Sequence, residues 1–240
     1  MTLLPILERT PVQSIEDAIA VMTAIDGTLP DSDGVKWFNR LYLRVTTSVG
    51  SAVGDRTFHD TAFMTKLDVV FANLYFSALA AGGDDTGRAP SAWRPLLEAR
   101  HQAGIARIQF ALAGMNAHIN RDLPDGIVQS FLALGGDPIT ADRREQDFDS
   151  INELLERVEE EVKVEFAVGV VAAVDRLGGQ VDDAVAMWKV RAARSAAWTN
   201  AQVLWGLRGV PRVRDRFFSR LDGLVGMTGR GLLLPRIPCN

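Results

Sequence analysis

Histidine and cysteine are scarce in this chain. Its 240 residues hold three histidines, His59, His101 and His118, and one cysteine, Cys239. A lone cysteine excludes an intrachain disulfide framework and a cysteine-rich zinc site. Cationic excess is missing as well: the formal net charge is −4, so nothing general favours a nucleic-acid partner. No stretch reaches the ~18 consecutive apolar residues of a membrane span. The opening MTLLPILERTPVQ has neither the basic start nor the apolar run of a signal peptide. Nor is there an alternating β-branched run bounded by turns; the longest candidate, FAVGVVAAV, sits inside a helical pattern. The expectation left standing is a soluble, cytoplasmic, all-α protein. Hydrophobic residues at 47% and charged residues at 23% are enough for a folded core and exclude a disordered chain.

What the chain does have is helical punctuation. Ser14 with Asp17 marks a helix start, and Ile15, Ile19, Met22 and Ile25 share a face until Gly27 and Pro30. Val35, Phe38, Tyr42, Val45 and Val49 predict a second helix, with the glycine-rich SVGSAVGDRTFHD as the turn after it. Asp60 to Ala81 is helical again, with Asp68 and Tyr75 together on the edge of its apolar face. GGDDTGRAPS reads as a loop, and Pro95 fits a first helical turn. A helix over 105–123 comes next, then a short one from Gly126 to Leu134 and the loop GGDPITADRREQ. Ser150 with Glu153 makes a capping box for a helix ending at Gly178 and Gly179. Val181 to Leu207 is long, Pro211 opens the last helix, and GRGLLLPRIPCN is expected to be a nonhelical tail. The prediction is a single all-α domain over residues 1–240, an irregular bundle of about seven to nine helices with the 105–123 helix buried at its centre.

Two of these helices carry polar residues where a core belongs. At about 100° per residue, Ile105, Ile108, Leu112, Met115, Ile119 and Leu123 form the apolar arc of the central helix. Gln109, Asn116 and Asn120 border that arc on one side, His118 and Asp122 on the other, and the remainder is mostly Ala and Gly. Small residues let neighbouring helices approach, which encloses the polar ones. An enclosed amide or carboxylate without a partner costs about 1–3 kcal/mol or more, so a network is implied. Along the 181–207 helix, Trp188, Arg191, Ser195, Trp198, Gln202 and Trp205 share one arc. That mixture suits either a pocket wall or a core whose indoles find partners.

FNRLYLRVT (38–46), LDVVFANLYFSAL (67–79), AWRPLLEAR (92–100), QFALAGMNAHINRDLP (109–124) and AAWTNAQVLW (196–205) together resemble an uncharacterised group of bacterial proteins, a domain of unknown function. The resemblance implies a single-domain helical protein over nearly the whole chain. It implies no reaction and no catalytic residues.

His118 and Asp122 form H-x-x-x-D on one helical face. That spacing brings an imidazole and a carboxylate to one divalent metal ion, or pairs them for metal-free acid–base chemistry, or locks a helix in place. It is similar to part of the motif of zinc-dependent phospholipase C, but three histidines are too few for that trinuclear site. Asn152, Glu156 and Glu160 repeat the spacing of a terpene-synthase metal motif without its aspartate-rich partner, and read as a solvated acidic face. Neither GGDDTG nor GMTGRG is a phosphate loop, lacking a preceding strand and a following lysine. RGVPRVRDRFFSR reads as an amphipathic helix on the outside, with nucleic acid or phospholipid as the alternative partner.

The expected function is a small-molecule enzyme of hydrolase or lyase/cyclase type, with a pocket between the 60–81, 105–123 and 181–207 helices. His118, Asp122 and Asp68 are its candidate acid–base groups, and His118 with Asp122 its candidate metal ligands. Asn116, Asn120, Arg191, Trp188, Trp198 and Tyr75 are the candidate substrate contacts. No nucleotide or haem motif argues for redox chemistry. The alternative is a non-catalytic ligand-binding or interaction protein whose polar core is structural.

Overall fold

The structure is a computed structural model that describes residues 3–83, 85–158 and 190–235. Trp188, Gly178, Gly179, Glu160, Cys239 and the segment FAVGVVAAV lie outside the described residues. Every regular element within them is helical. Helix α1 is Leu4–Leu7, and α2 is Ile15–Thr28, where the Ser14 side chain accepts from the Asp17 N–H at 3.1 Å. Helix α3, Gly34–Gly54, starts under the side chain of Asp33, which accepts from Val35 N–H. The turn expected over SVGSAVGDRTFHD begins only at Asp55, and its first residues are the last part of α3. Gly50 serves packing there, since a Cβ on it would sit 3.1 Å from Ile15 of α2. Asp60 caps α4, Thr61–Ala81. By length and composition α4 would pass for a membrane span, but Phe63, Leu67, Ala72, Tyr75 and Phe76 are buried as in the core helix of a bundle.

Helix α5, Arg94–Ala99, takes Pro95 in its first turn, and the chain breaks at Gly104, whose φ is +82°. Then one long rod forms: α6, Arg107–Ala117, a π-helical turn His118–Asp122, and α7, Leu123–Leu134. The expected break at Pro124 is this π turn. Proline has no N–H and crowds the carbonyl four residues earlier. Widening the turn, with Leu123 N–H bonded to the His118 carbonyl, keeps the helix continuous across it.

Residues 142–158 form α8, so Ser150 lies inside a helix, donating to the Asp147 carbonyl at 2.7 Å, and caps nothing. Helix α9 is Val190–Gly206 and α10 is Pro211–Leu232. The first residues of the expected tail are thus helical: Gly226 and Gly229 let α10 press on α5, with a Cβ on Gly226 only 2.4 Å from the Ser91 carbonyl oxygen.

Two apolar clusters hold the bundle. One joins α2, α3, α4, α5 and α6 around Phe38, Tyr75, Phe76 and Trp93. The other joins the start of α4 to α7, α8 and α9 around Phe63, Phe131, Phe148 and Trp198. The rod 107–134 belongs to both, Ala111 and Ala113 in the first, Ile119 and Ile127 in the second. Gly114 accepts the Phe38 ring and Gly34 the Phe110 ring, which draws α3 against α6.

Candidate functional site

The π turn brings together the pair expected to carry chemistry. His118 Nδ1 lies 3.0 Å from Asp122 Oδ2, and both side chains are buried. Trp93 Nε1–H donates to the same Oδ2 at 2.9 Å, and Arg121 donates to Oδ1 at 2.7 Å. With an indole and a guanidinium both donating to it, Asp122 is the acceptor. That fixes the imidazole tautomer: Nδ1 carries the proton and Nε2 the lone pair. The imidazole stacks on Phe71 with ring centroids 3.4 Å apart, while Tyr42 meets it edge-on at 4.5 Å. Burial holds His118 below the usual histidine pKa, against the pull of Asp122.

Polar atoms on this ring and on the helices packed against it make no hydrogen bond. His118 Nε2, Tyr42 OH, Thr46 Oγ1 and Asp68 Oδ2 are all buried and unpartnered. They come from three neighbouring elements. Tyr42 and Thr46 are one turn apart on α3, their hydroxyls approaching without hydrogen-bonding geometry. Asp68 is one turn before Phe71 on α4. Burial raises the Asp68 carboxyl to about 7. The Tyr42 phenol is pushed well above its normal value, first by burial and then by the nearby Asp68 charge.

The remaining candidates are placed elsewhere. Tyr75 is fully buried near the same ring, but its hydroxyl donates to Asn39 Oδ1 at 3.2 Å. Asn116 donates to the Val225 carbonyl of α10 at 2.9 Å, and Asn120 donates to Asn116. Gln109 likewise reaches the Leu232 carbonyl. This polar border therefore fastens the final helix. Arg191 is not near His118; it pairs on the surface with Glu156, its side chain 65% exposed. Trp198 packs among Phe63, Phe131 and Phe148 in the second cluster, and its indole N–H has no partner. A surface cleft of about 540 Å³, lined by His59, Asp60, Phe131, Thr140 and Arg144 among others, contains none of the candidate residues. Among the described residues no three His, Cys, Asp or Glu side chains are grouped to hold a metal ion.

Several residues of the network carried no sequence signal. Trp93 comes from a helix 29 positions away. Arg121 is adjacent to Asp122 and would point off its face in a regular α-helix. Asp222, on α10, accepts from the Ser91 and Ala92 N–H groups and lies 3.6 Å from Arg121. Asn152, read as solvated, is buried and accepts from Arg194 at 3.0 Å. Arg194 also donates to the Phe148 carbonyl, and burial lowers its pKa to about 10.

These features define an all-α protein with a polar centre built on a π turn. The chain belongs to a family of unknown function, DUF5995, whose model matches residues 15–235. No curated protein and no solved structure matches it.

Proposed function

We propose that the protein is a metal-independent acid–base enzyme of hydrolase or lyase type, acting on a small polar molecule beside His118. The observation that carries this reading is a buried imidazole whose Nε2 has no partner, packed against Tyr42 and Phe71, with unpartnered hydroxyls on Tyr42 and Thr46 and an unpartnered carboxyl oxygen on Asp68, one turn before Phe71. Each such atom costs about 1–3 kcal/mol, and interiors rarely keep several together without a use. His118 Nε2 is the base: it accepts a proton from a bound water or substrate hydroxyl. Asp122 orients the ring and stabilises the imidazolium that forms, as carboxylates do beside catalytic histidines. Asp68, raised to about 7, is the acid that returns a proton, and the Tyr42 and Thr46 hydroxyls orient the bound molecule. A metal role for His118 and Asp122 finds less support, because both oxygens of Asp122 already accept from Trp93, His118 and Arg121.

The test is to incubate a polar metabolite extract with the protein and with its His118→Gln variant, and to follow both by mass spectrometry. One compound consumed by the first and spared by the second is expected. Identical profiles would sink the proposal.

A second reading, a polar core with a purely structural purpose, is favoured by Gln109, Asn116 and Arg194, all spent on main-chain carbonyls. Asp68→Leu separates the two. A structural carboxyl would be missed by the fold, whereas a functional one leaves a protein that is more stable but inactive.

A further inference from the structure

Helix α10 presents a second amphipathic face, away from the bundle. At about 100° per residue, Val225, Gly226 and Gly229 turn inward and are buried. The opposite side carries Val213, Arg216, Arg220, Leu224 and Met227, with Phe217 along one edge. Leu224 is 63% exposed and Met227 71%. Both aspartates of the helix lie on its inward half, Asp215 bonded to Arg214 and Asp222 held by the Ser91 and Ala92 N–H groups. The outward face is therefore free of acid. Among the described residues, Arg212, Arg216 and Arg220 make no ion pair.

We infer that this face lies flat on an anionic lipid surface. Protruding aliphatic side chains flanked by unpaired arginines, along a helix of 22 residues, are what an in-plane interfacial helix requires: the apolar groups enter the acyl boundary while the guanidiniums meet phosphates. Nucleic acid shares the phosphate chemistry but gives Leu224 and Met227 no apolar environment. It would also use exposed aromatics for stacking, and here Phe217 and Phe218 are half-buried, Phe218 beneath Arg121 at 4.8 Å. A chain of net charge −4 would be repelled from such a membrane everywhere else, which fixes the orientation of approach. The inference is independent of the chemistry proposed for His118.

Sedimentation with phosphatidylcholine vesicles, with and without about one third phosphatidylserine, tests it on the full chain. Binding is expected to the anionic vesicles alone and to weaken with salt. Each of Arg216→Glu and Arg220→Glu should weaken it by about fivefold or more. Leu224→Ser combined with Met227→Ser should weaken it about tenfold at unchanged charge. Arg143→Glu, on an exposed arginine of α8, should leave it intact. All these side chains are exposed, and far-ultraviolet circular dichroism would verify that each variant keeps its helices. Absence of binding, equal binding to neutral vesicles, or indifference to the serine pair would overturn the inference. So would tighter binding to duplex DNA than to vesicles, which would make the face a nucleic-acid surface.

Discussion

Asp68 shows how one buried carboxyl couples stability to pH. Burial raises it to about 7, against about 3.9 in an unfolded chain. Across that interval the folded protein binds more protons than the unfolded one, so Asp68 lowers stability progressively from about pH 4 to about pH 7, then no further, by about 4 kcal/mol in all. His118 acts oppositely. Its pKa is lowered by burial, so its neutral form loses stability as pH falls below about 6.5. Urea denaturation across this range should give a shallower alkaline decline for Asp68→Asn than for the parent. At pH 7 Asp68→Leu should gain up to about 4 kcal/mol, because it removes the buried carboxyl that weakens the fold by that amount and leaves no charge behind. Asp122→Ala should lose about 3–5 kcal/mol, since it strands Arg121, Trp93 and His118 together. A gain there would disprove the network.

Among the elements, α10 carries the sharpest test of close packing. Gly226 faces the Ser91 carbonyl, which as backbone cannot move aside, whereas nothing lies within 4 Å of a Cβ on Gly223. Thermal denaturation should show Gly226→Ala losing about 3 kcal/mol and Gly223→Ala gaining about 0.5–1 kcal/mol from helix propensity. The π turn makes a similar point. Pro124 forces the widening, and the widening sets His118 and Arg121 around the Asp122 carboxylate. Pro124→Ala relieves the constraint, so the His118 Nδ1–H proton resonance should move by NMR. An unchanged resonance would assign the turn to packing alone.

At the scale of the molecule, helix α10 is tied to the buried centre through Asp222, Arg121 and Asp122 in series. Asp222→Ala should cost about 2 kcal/mol by releasing the Ser91 and Ala92 N–H groups, and hydrogen exchange should rise at both. Much of this architecture was legible beforehand. Helical spacing located α2, α3 and α4, Ser14 and Pro95 marked the starts of α2 and α5, and small residues around Gly114 foretold an enclosed rod. Glycine misled in two places, because the start of the gap after Val49 and the start of the tail from Gly229 were read as interruptions of local structure, and Pro124 misled in a third. At Gly50 and Gly229 the missing Cβ makes room for another helix instead, and Gly126 sits inside the continuous rod.

The sequence by itself determined the all-α class and nominated His118, Asp122 and Asp68, because periodicity and i,i+4 spacing are local properties of one helix. Which polar groups were spent was decided by tertiary structure alone. Asn116 and Gln109 turned out to grip α10, Tyr75 to serve Asn39, and Arg191 to face solvent, while Tyr42, packed on the imidazole, was left with an unpartnered hydroxyl. Hydrogen bonds between helices depend on how those helices cross, and that geometry belongs to the packed core rather than to any one segment.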